Sequence, residues 1–122
     1  METENHKIPG CQGDQRSVCA LVNALDAIGD KWSLILIRDM MFLHKKEYSE
    51  FLASAEGIST NILSNRLKSL VELGLATKSK HPTDKKKSLY QLTDKGMDLL
   101  PVLVELSLWG NNHLENTFVP EP

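Results

Sequence analysis

The stretch GISTNILSNRLKSLVELGL, residues 57–75, decides the fold because it encodes a helix together with both of its ends. Its apolar side chains recur at helical spacing and share one face: Ile62, Leu63, Leu67, Leu70 and Val71. The opposite face is polar and carries Asn61, Ser64, Asn65, Lys68 and Glu72. Ser59 is a favourable N-cap, and Gly74 allows the left-handed turn that ends a helix. The stretch therefore predicts an amphipathic helix with short hydrogen-bonding side chains on its outer face.

A helix of this kind suits the major groove of DNA, although an isolated amphipathic helix is more often simply solvated. The sequence before it helps to decide between these interpretations. A short helix is predicted from about Tyr48 to Ala55, with Phe51 and Leu52 turned inward, and Gly57 supplies the turn that follows. A short helix, a turn and a capped longer helix make a helix-turn-helix.

Two short strands are predicted after the helix. LATKSKH, residues 75–81, alternates β-tolerant residues with lysines, and LYQLT, residues 89–93, is typical of a second strand. The segment between them, PTDKKKS, is basic turn material that we expect to be flexible. Two strands joined by a basic turn, directly after a helix-turn-helix, form a wing.

The earlier helices are predicted to build the body of the domain. The first begins at Ser17 and ends near Gly29. The second, KWSLILIRDMMFL, residues 31–43, is apolar on almost every side, which predicts a buried centre. Arg38 and Asp39 interrupt it, and we expect them to form a structural ion pair or a helix-end contact.

The last helix is predicted to start at Thr93 and to be kinked or divided at Pro101. Beyond Pro101 the apolar residues occupy more than one face. We therefore expect this segment to bury one surface in its own core and another against a partner chain.

Composition fits one ordinary globular domain, since 41% of the 122 residues are hydrophobic and 25% are charged. No apolar run approaches the length of a membrane span, and the polar start METENHKIPG lacks a signal core, so we expect a cytoplasmic protein without membrane partners. Residues 59–87 hold seven Lys/Arg against two Asp/Glu, whereas the segments on either side are acidic. A basic patch on an acidic body is typical of phosphate contacts, although a solvated charge run is the simpler alternative.

Five separated blocks resemble the HxlR-type transcriptional regulators, a MarR-related branch of the winged helix-turn-helix proteins. The blocks are ALDAIGDKWSLILIRDM (24–40), YSEF (48–51), GISTNILSNRLKSLVELGL (57–75), YQLTDKG (90–96) and LLPVL with WG (99–103 and 109–110). The resemblance implies a mainly α fold with a small β-wing (α+β) that dimerises through its N- and C-terminal helices. We divide the chain into an arm (1–16), the winged helix-turn-helix domain (17–115) and a tail (116–122).

The chain departs from the family's usual pattern at several positions, including the region of His44, where the family usually has glycine. Cys19 is followed by Ala20 where the family has proline, Glu47 stands where a basic residue is usual, and Lys85 and Lys86 replace a Pro-Pro pair. The wing is therefore more basic than usual, and Glu47 is expected to weaken a phosphate contact.

DNA contacts are predicted from α-helical and wing residues. The candidates for base edges and nearby phosphates are Ser59, Thr60, Asn61, Ser64, Asn65 and Lys68. The candidates for the DNA backbone or minor groove are Lys78, Lys80, Lys85, Lys86 and Lys87. Arg66 lies on the apolar arc, so its stem is expected to pack while its guanidinium either pairs internally or reaches a phosphate.

Cys19 has two open interpretations. Its position matches the cysteine that some members of the resembled family use as a thiol switch, whereas a small half-buried apolar residue is the commoner role. The four histidines and two cysteines show no metal-ligand spacing, so no metal site and no cofactor are expected. The sequence holds no phosphate-binding glycine loop and no nucleophile elbow, which argues against an enzyme.

These patterns together predict a sequence-specific transcriptional regulator that binds double-stranded DNA as a homodimer. They favour a repressor over an activator, and the predicted binding site is a pseudo-palindromic operator. The alternative is a winged-helix module that binds protein without specific DNA binding. The dimer interface is predicted to involve Leu21, Leu25, Leu103, Leu106 and Trp109. The pattern identifies no small-molecule effector.

Overall fold

The computed structural model of the chain describes residues 18–120. Its elements are α1 (Ala20–Ile28), α2 (Lys31–Phe42), α3 (Tyr48–Leu52), α4 (Thr60–Glu72), β1 (Ala76–Lys80), β2 (Ser88–Leu92), α5 (Asp94–Met97) and α6 (Leu100–His113). The described residues divide into two compact units, 18–30 and 31–120. A mainly helical fold with one two-stranded antiparallel sheet confirms the predicted winged helix-turn-helix class.

The first unit contains α1, which follows Cys19 and ends at Gly29. The Gly29 amide donates to the Leu25 carbonyl over 2.7 Å and closes the last turn. Ile28 is buried, whereas Leu21 and Leu25 are exposed. The predicted helix start at Ser17 and the predicted arm, residues 1–16, lie outside the described residues.

α2 is the buried centre of the second unit, as predicted. Leu36, Ile37, Met40, Met41 and Phe42 are all buried. The helix packs against α4, β2 and α6. Because so many of its side chains face protein, α2 sets the positions of the elements around it.

Local signals at both ends fix the bounds of α4. The Ser59 hydroxyl accepts from the Ile62 amide over 3.3 Å, which confirms the predicted N-cap. At the other end Gly74 has φ +77°, a conformation that favours glycine. The Leu75 amide donates to the Leu70 carbonyl (2.9 Å) and the Gly74 amide to the Val71 carbonyl (3.0 Å), which is a Schellman motif.

The inner face of α4 is narrower than its apolar pattern predicted. Leu63, Leu67 and Leu70 are buried. Ile62 is exposed and Val71 is half-buried, so both lie at the margins of that face. The sequence spacing assigned both residues to the same face, because spacing does not show how far the protein surface that packs against α4 extends.

The wing is attached to the connection between α2 and α3. β1 pairs with β2 in a register that matches Ala76 with Leu92 and Lys80 with Ser88. Beyond this pair, Glu47 forms an antiparallel bridge with Leu89, and the Tyr90 amide donates to the Lys46 carbonyl over 2.8 Å. The wing therefore has a backbone connection to the start of the helix-turn-helix.

A short α5 joins the wing to the end of α4. Thr93 caps α5 by accepting from the Gly96 amide (3.1 Å), and its hydroxyl also donates to the Gly74 carbonyl (2.6 Å). Gly96 lies against the Leu75 carbonyl so closely that an added Cβ would be 2.3 Å from that oxygen. No side chain larger than hydrogen fits there without a main-chain shift.

The last predicted helix is divided near Pro101, which is one of the two outcomes, a kink or a division, that the sequence predicted. The chain turns at Asp98 and Leu99, and Pro101 lies in the first turn of α6, where its missing N–H is tolerated. Leu103 is buried, while most of the other apolar residues of α6 are exposed.

Arg38 and Asp39 form the predicted ion pair, within a larger network. Asp39 is fully buried and receives the Arg38 Nε over 3.0 Å and the Ser54 hydroxyl over 2.5 Å. The Lys45 ammonium lies 3.6 Å from the Asp39 carboxylate and donates to Ser54 over 2.9 Å. Each oxygen of the buried charge therefore has a partner.

The outer side of Arg38 extends this network to the turn before α4. Its guanidinium donates to both Glu56 carboxylate oxygens, over 2.8 and 3.0 Å. These hydrogen bonds lower the pKa of Glu56 to about 2. A carboxyl whose pKa falls on folding stabilises the fold above its ordinary pKa and loses that contribution as the pH falls.

We therefore expect Glu56→Gln to reduce the free energy of unfolding at pH 7 by roughly 0.5 kcal/mol, because the pair is partly exposed and screened. The deficit should shrink between about pH 5 and pH 2, where the wild-type carboxyl takes up its proton. Urea unfolding across this range would measure it. Glu105→Gln, an exposed α6 carboxylate, is the control, and a deficit that does not change with pH would contradict the assignment.

Candidate nucleic-acid interface

The outer face of α4 presents the side chains that were predicted to contact bases. Thr60, Asn61, Ser64, Asn65 and Lys68 are all exposed. Ser59 is also exposed, but its hydroxyl is already engaged as the N-cap. The helix therefore presents short polar groups in its first two turns and a cation one turn later.

Tyr48, the first residue of α3, contacts this face. Its hydroxyl lies 3.2 Å from the Thr60 carbonyl oxygen and 3.2 Å from the Ser64 hydroxyl oxygen. The sequence analysis did not include Tyr48 among the site residues. The contact joins residues 12 and 16 positions apart, and no local pattern in the sequence indicates it.

Arg66 is half-buried, and its guanidinium donates to the Asn65 side-chain oxygen. The structure thus shows the internal pairing, which was one of the two predicted alternatives. Because the Asn65 side-chain oxygen accepts this bond, the Asn65 side-chain nitrogen is the group that can donate hydrogen bonds to another molecule.

The five wing lysines, Lys78, Lys80, Lys85, Lys86 and Lys87, are all exposed. Lys78 lies over the Tyr90 ring, with its ammonium 6.0 Å from the ring centre. A cleft between α3, α4 and the wing is lined by Tyr48, Ser64, Lys68 and Lys78. Two of the predicted α4 residues and one wing lysine therefore line the same cleft.

Hydrogen bonds organise the wing turn that was expected to be flexible. The His81 Nδ1 accepts from the Thr83 and Asp84 amides over 3.2 and 3.1 Å. The Asp84 carboxylate accepts from the Lys86 amide over 3.0 Å, and the His81 amide donates to the Lys87 carbonyl over 3.1 Å. These hydrogen bonds fix the path of the turn that carries the three consecutive lysines.

Glu47 lies at the base of the wing, beside one of these lysines. Its carboxylate oxygens are 3.6 Å from the Lys87 ammonium and 3.5 Å from the His81 Nε2. A phosphate that contacts Lys87 must compete with this carboxylate. The geometry therefore gives a physical reason why Glu47 would weaken a phosphate contact.

Cys19 lies apart from this surface in the sequence, immediately before α1, and is exposed. Cys11, the other cysteine of the chain, lies outside the described residues. Within residues 18–120 no three His, Cys, Asp or Glu side chains are grouped to hold a metal ion. None of the helices in that range is long and apolar enough to cross a membrane.

Residues 27–118 match the protein family described as HxlR-like helix-turn-helix. The chain belongs to this family. It is 36% identical over 91 residues to the HTH-type transcriptional regulator MT3179 of Mycobacterium tuberculosis (strain CDC 1551 / Oshkosh), which covers 75% of the chain and 56% of that protein. It is 29% identical over 96 residues to the HTH-type transcriptional regulator YvaP of Bacillus subtilis (strain 168), covering 79% of the chain and 88% of YvaP.

The chain thus spans a little over half the length of its mycobacterial relative. Both relatives carry names of transcriptional regulators and neither carries the name of an enzyme. This agrees with the sequence analysis, which found no support for catalysis.

Solved structures with the same architecture support the family assignment. The crystal structure of PA1607 has a TM-score of 0.75 and 32% identity, covering 88% of this chain and 82% of that chain. The redox regulator HypR in its oxidized form has a TM-score of 0.69 and 27% identity, covering 80% and 99%. The HxlR-like assignment and the winged fold therefore agree.

Proposed function

We propose that this chain is a sequence-specific DNA-binding regulator that occupies a pseudo-palindromic operator as a homodimer and acts as a repressor. The observation that carries the proposal is the exposed polar face of α4 beside an exposed, five-lysine wing. Repression would follow from occupation of the operator, which blocks polymerase.

The two parts of the surface have different tasks in this proposal. Side chains in the first turns of α4 can read base edges in the major groove, as in other helix-turn-helix proteins. The wing lysines supply charge to the phosphate backbone, which holds the protein but carries no sequence information. The turn around Lys85 and Lys86 is ordered by hydrogen bonds from main-chain amides to the Asp84 carboxylate and the His81 ring, so the wing offers these charges at defined positions.

The alternative function is a winged-helix module that binds protein. A protein-binding face favours aromatic or apolar anchors. The outer face of α4 and the wing instead expose short polar side chains and lysines, which favours DNA. Gel shifts with mixed genomic DNA at low and moderate salt distinguish the two, since a protein-binding module would leave the DNA unshifted.

Asn61→Ala or Asn65→Ala should cost on the order of 1–3 kcal/mol at the operator if that residue pairs with a base, and much less on random DNA. Lys85→Ala or Lys86→Ala should weaken both DNAs by similar factors. Each lysine loss should also flatten the plot of log affinity against log salt by about 1, because one fewer counterion is released. Lys87→Ala should have a smaller effect, because Glu47 already neutralises part of that charge.

Titrations of operator and random duplexes at several salt concentrations would measure these effects. The assignment of roles is reversed if the wing variants lose specificity while the α4 variants change only the salt slope. If neither set alters DNA binding, the proposed function is wrong.

Dimer formation is supported by exposed apolar side chains on α1 and α6. Leu21 and Leu25 are 66% and 55% exposed, and Leu106 and Trp109 are 53% and 57% exposed. Leu103, also predicted at the interface, is only 6% exposed and belongs to the core of the chain itself. We therefore assign the α6 contribution to Leu106 and Trp109.

Light scattering at micromolar concentration should give about twice the 13.7 kDa chain mass. Leu106→Glu or Trp109→Glu should shift the protein to monomer and lower operator affinity, while circular dichroism stays unchanged. Gln91→Glu, which adds the same charge at an exposed position on β2, should leave the mass unchanged. A monomer that still binds the operator tightly would contradict the dimer.

Thiol sensing at Cys19 is a separate hypothesis, supported by the exposure of this residue and by the redox regulator HypR among the similar structures. If it holds, diamide or a quinone should change operator affinity in the wild type and in Cys11→Ser but not in Cys19→Ser. Binding that is insensitive to oxidant in all three proteins would contradict the hypothesis.

A further inference from the structure

The Tyr48 hydroxyl connects two polar atoms of α4. Its oxygen lies 3.2 Å from the Thr60 carbonyl oxygen and 3.2 Å from the Ser64 hydroxyl oxygen. A carbonyl can only accept a hydrogen bond, and a phenol has one proton to donate. Both contacts are hydrogen bonds only if Tyr48 donates to Thr60 and Ser64 donates to Tyr48.

This arrangement determines which way the Ser64 hydroxyl points. A serine on a groove-facing helix can ordinarily donate or accept, so it distinguishes bases poorly. Here its single proton is directed at Tyr48. The remaining, exposed side of the oxygen carries lone pairs, and Ser64 presents an acceptor to its surroundings.

The major groove offers few donors to such an acceptor. The amino groups of adenine N6 and cytosine N4 are donors, whereas guanine O6, thymine O4 and the purine N7 atoms are acceptors. An acceptor at Ser64 can therefore form a hydrogen bond with the amino group of a base. Opposite a keto group, two acceptors would face each other, which is unfavourable.

We infer that Tyr48 is a positioning residue that determines specificity: it holds Ser64 as an acceptor and makes the regulator prefer adenine or cytosine at the base that Ser64 reads. The inference rests on the proposed function, since it needs α4 to lie in the major groove. It also accounts for the tyrosine hydroxyl, which a phenylalanine of nearly the same volume would lack.

The test is a selection of bound duplexes from a random library, performed with the full chain. Wild type, Ser64→Ala, Tyr48→Phe and the double variant are compared, with Tyr90→Phe as the control that removes the hydroxyl of the chain's other tyrosine. Ser64→Ala should relax the preference at one base pair in each half-site, and the wild type should hold adenine or cytosine there by roughly fivefold to tenfold.

Tyr48→Phe should relax that same base pair toward equal use of the four bases, leave the other positions unchanged and add nothing to Ser64→Ala. Its affinity for random DNA and its salt slope should equal the wild-type values, which a general disturbance of the fold would not allow. Tyr90→Phe should keep the wild-type preference.

Three results would overturn the inference while leaving the proposed function intact. In the first, Tyr48→Phe retains the full preference at the base pair that depends on Ser64. In the second, that base pair favours guanine or thymine on the strand that Ser64 reads, or Ser64→Ala relaxes no position. In the third, Tyr48→Phe weakens every position equally. A wild type that enriches no sequence would overturn the proposed function and this inference together.

Discussion

The buried carboxylate of Asp39 is the interaction on which the arrangement of the helix-turn-helix depends. A charge taken out of water must be fully paired, and removal of a partner leaves it uncompensated at a cost of several kcal/mol. Its partners come from three places in the chain: Arg38 on α2, Lys45 after α2, and Ser54 in the turn before α4. Satisfying one carboxylate therefore brings together the end of the central helix and the turn between the two helices of the helix-turn-helix.

The opposite end of α4 is held by hydrogen bonds to the main-chain carbonyls of residues 73–75. The Lys95 ammonium donates to the Leu73 carbonyl over 2.7 Å, and Thr93 contacts the carbonyls of Gly74 and Leu75. The Leu73 carbonyl at the C-cap is one that a helix end leaves without an intrahelical partner, and Gly74 and Leu75 are the two residues that follow it. With both ends fixed, α4 presents its outer face at a constant orientation to the wing.

Much of this fold could be predicted from the sequence because its decisive signals are local. Ser59, Gly74, Thr93 and Pro101 each act within a few residues, and the structure places helix ends where they indicated. The family blocks gave the order of the elements. The limits of the apolar face at Ile62 were not predictable, because they depend on how far the opposing surface reaches.

The candidate site was predictable in composition and less so in geometry. The exposed positions on α4 and the wing followed from periodicity and charge. The contact of Tyr48 with Ser64 and that of Glu47 with His81 and Lys87 join residues 16, 34 and 40 positions apart, and such pairs are created only by the fold. The ordered wing turn depends on the His81 ring as a hydrogen-bond acceptor. The basic composition of the segment does not indicate this role.

The tight seat of Gly96 against the Leu75 carbonyl has a mechanical consequence. It sets the distance between the end of α4 and α5, the short helix that directly follows the wing. We therefore expect the spacing between α4 and the wing, the two parts proposed to contact DNA, to be constant. In the proposed complex a duplex whose groove spacing does not match the spacing between α4 and the wing must change its own shape, because the protein does not. Base pairs that neither α4 nor the wing touches would then influence binding through the stiffness of the DNA between them.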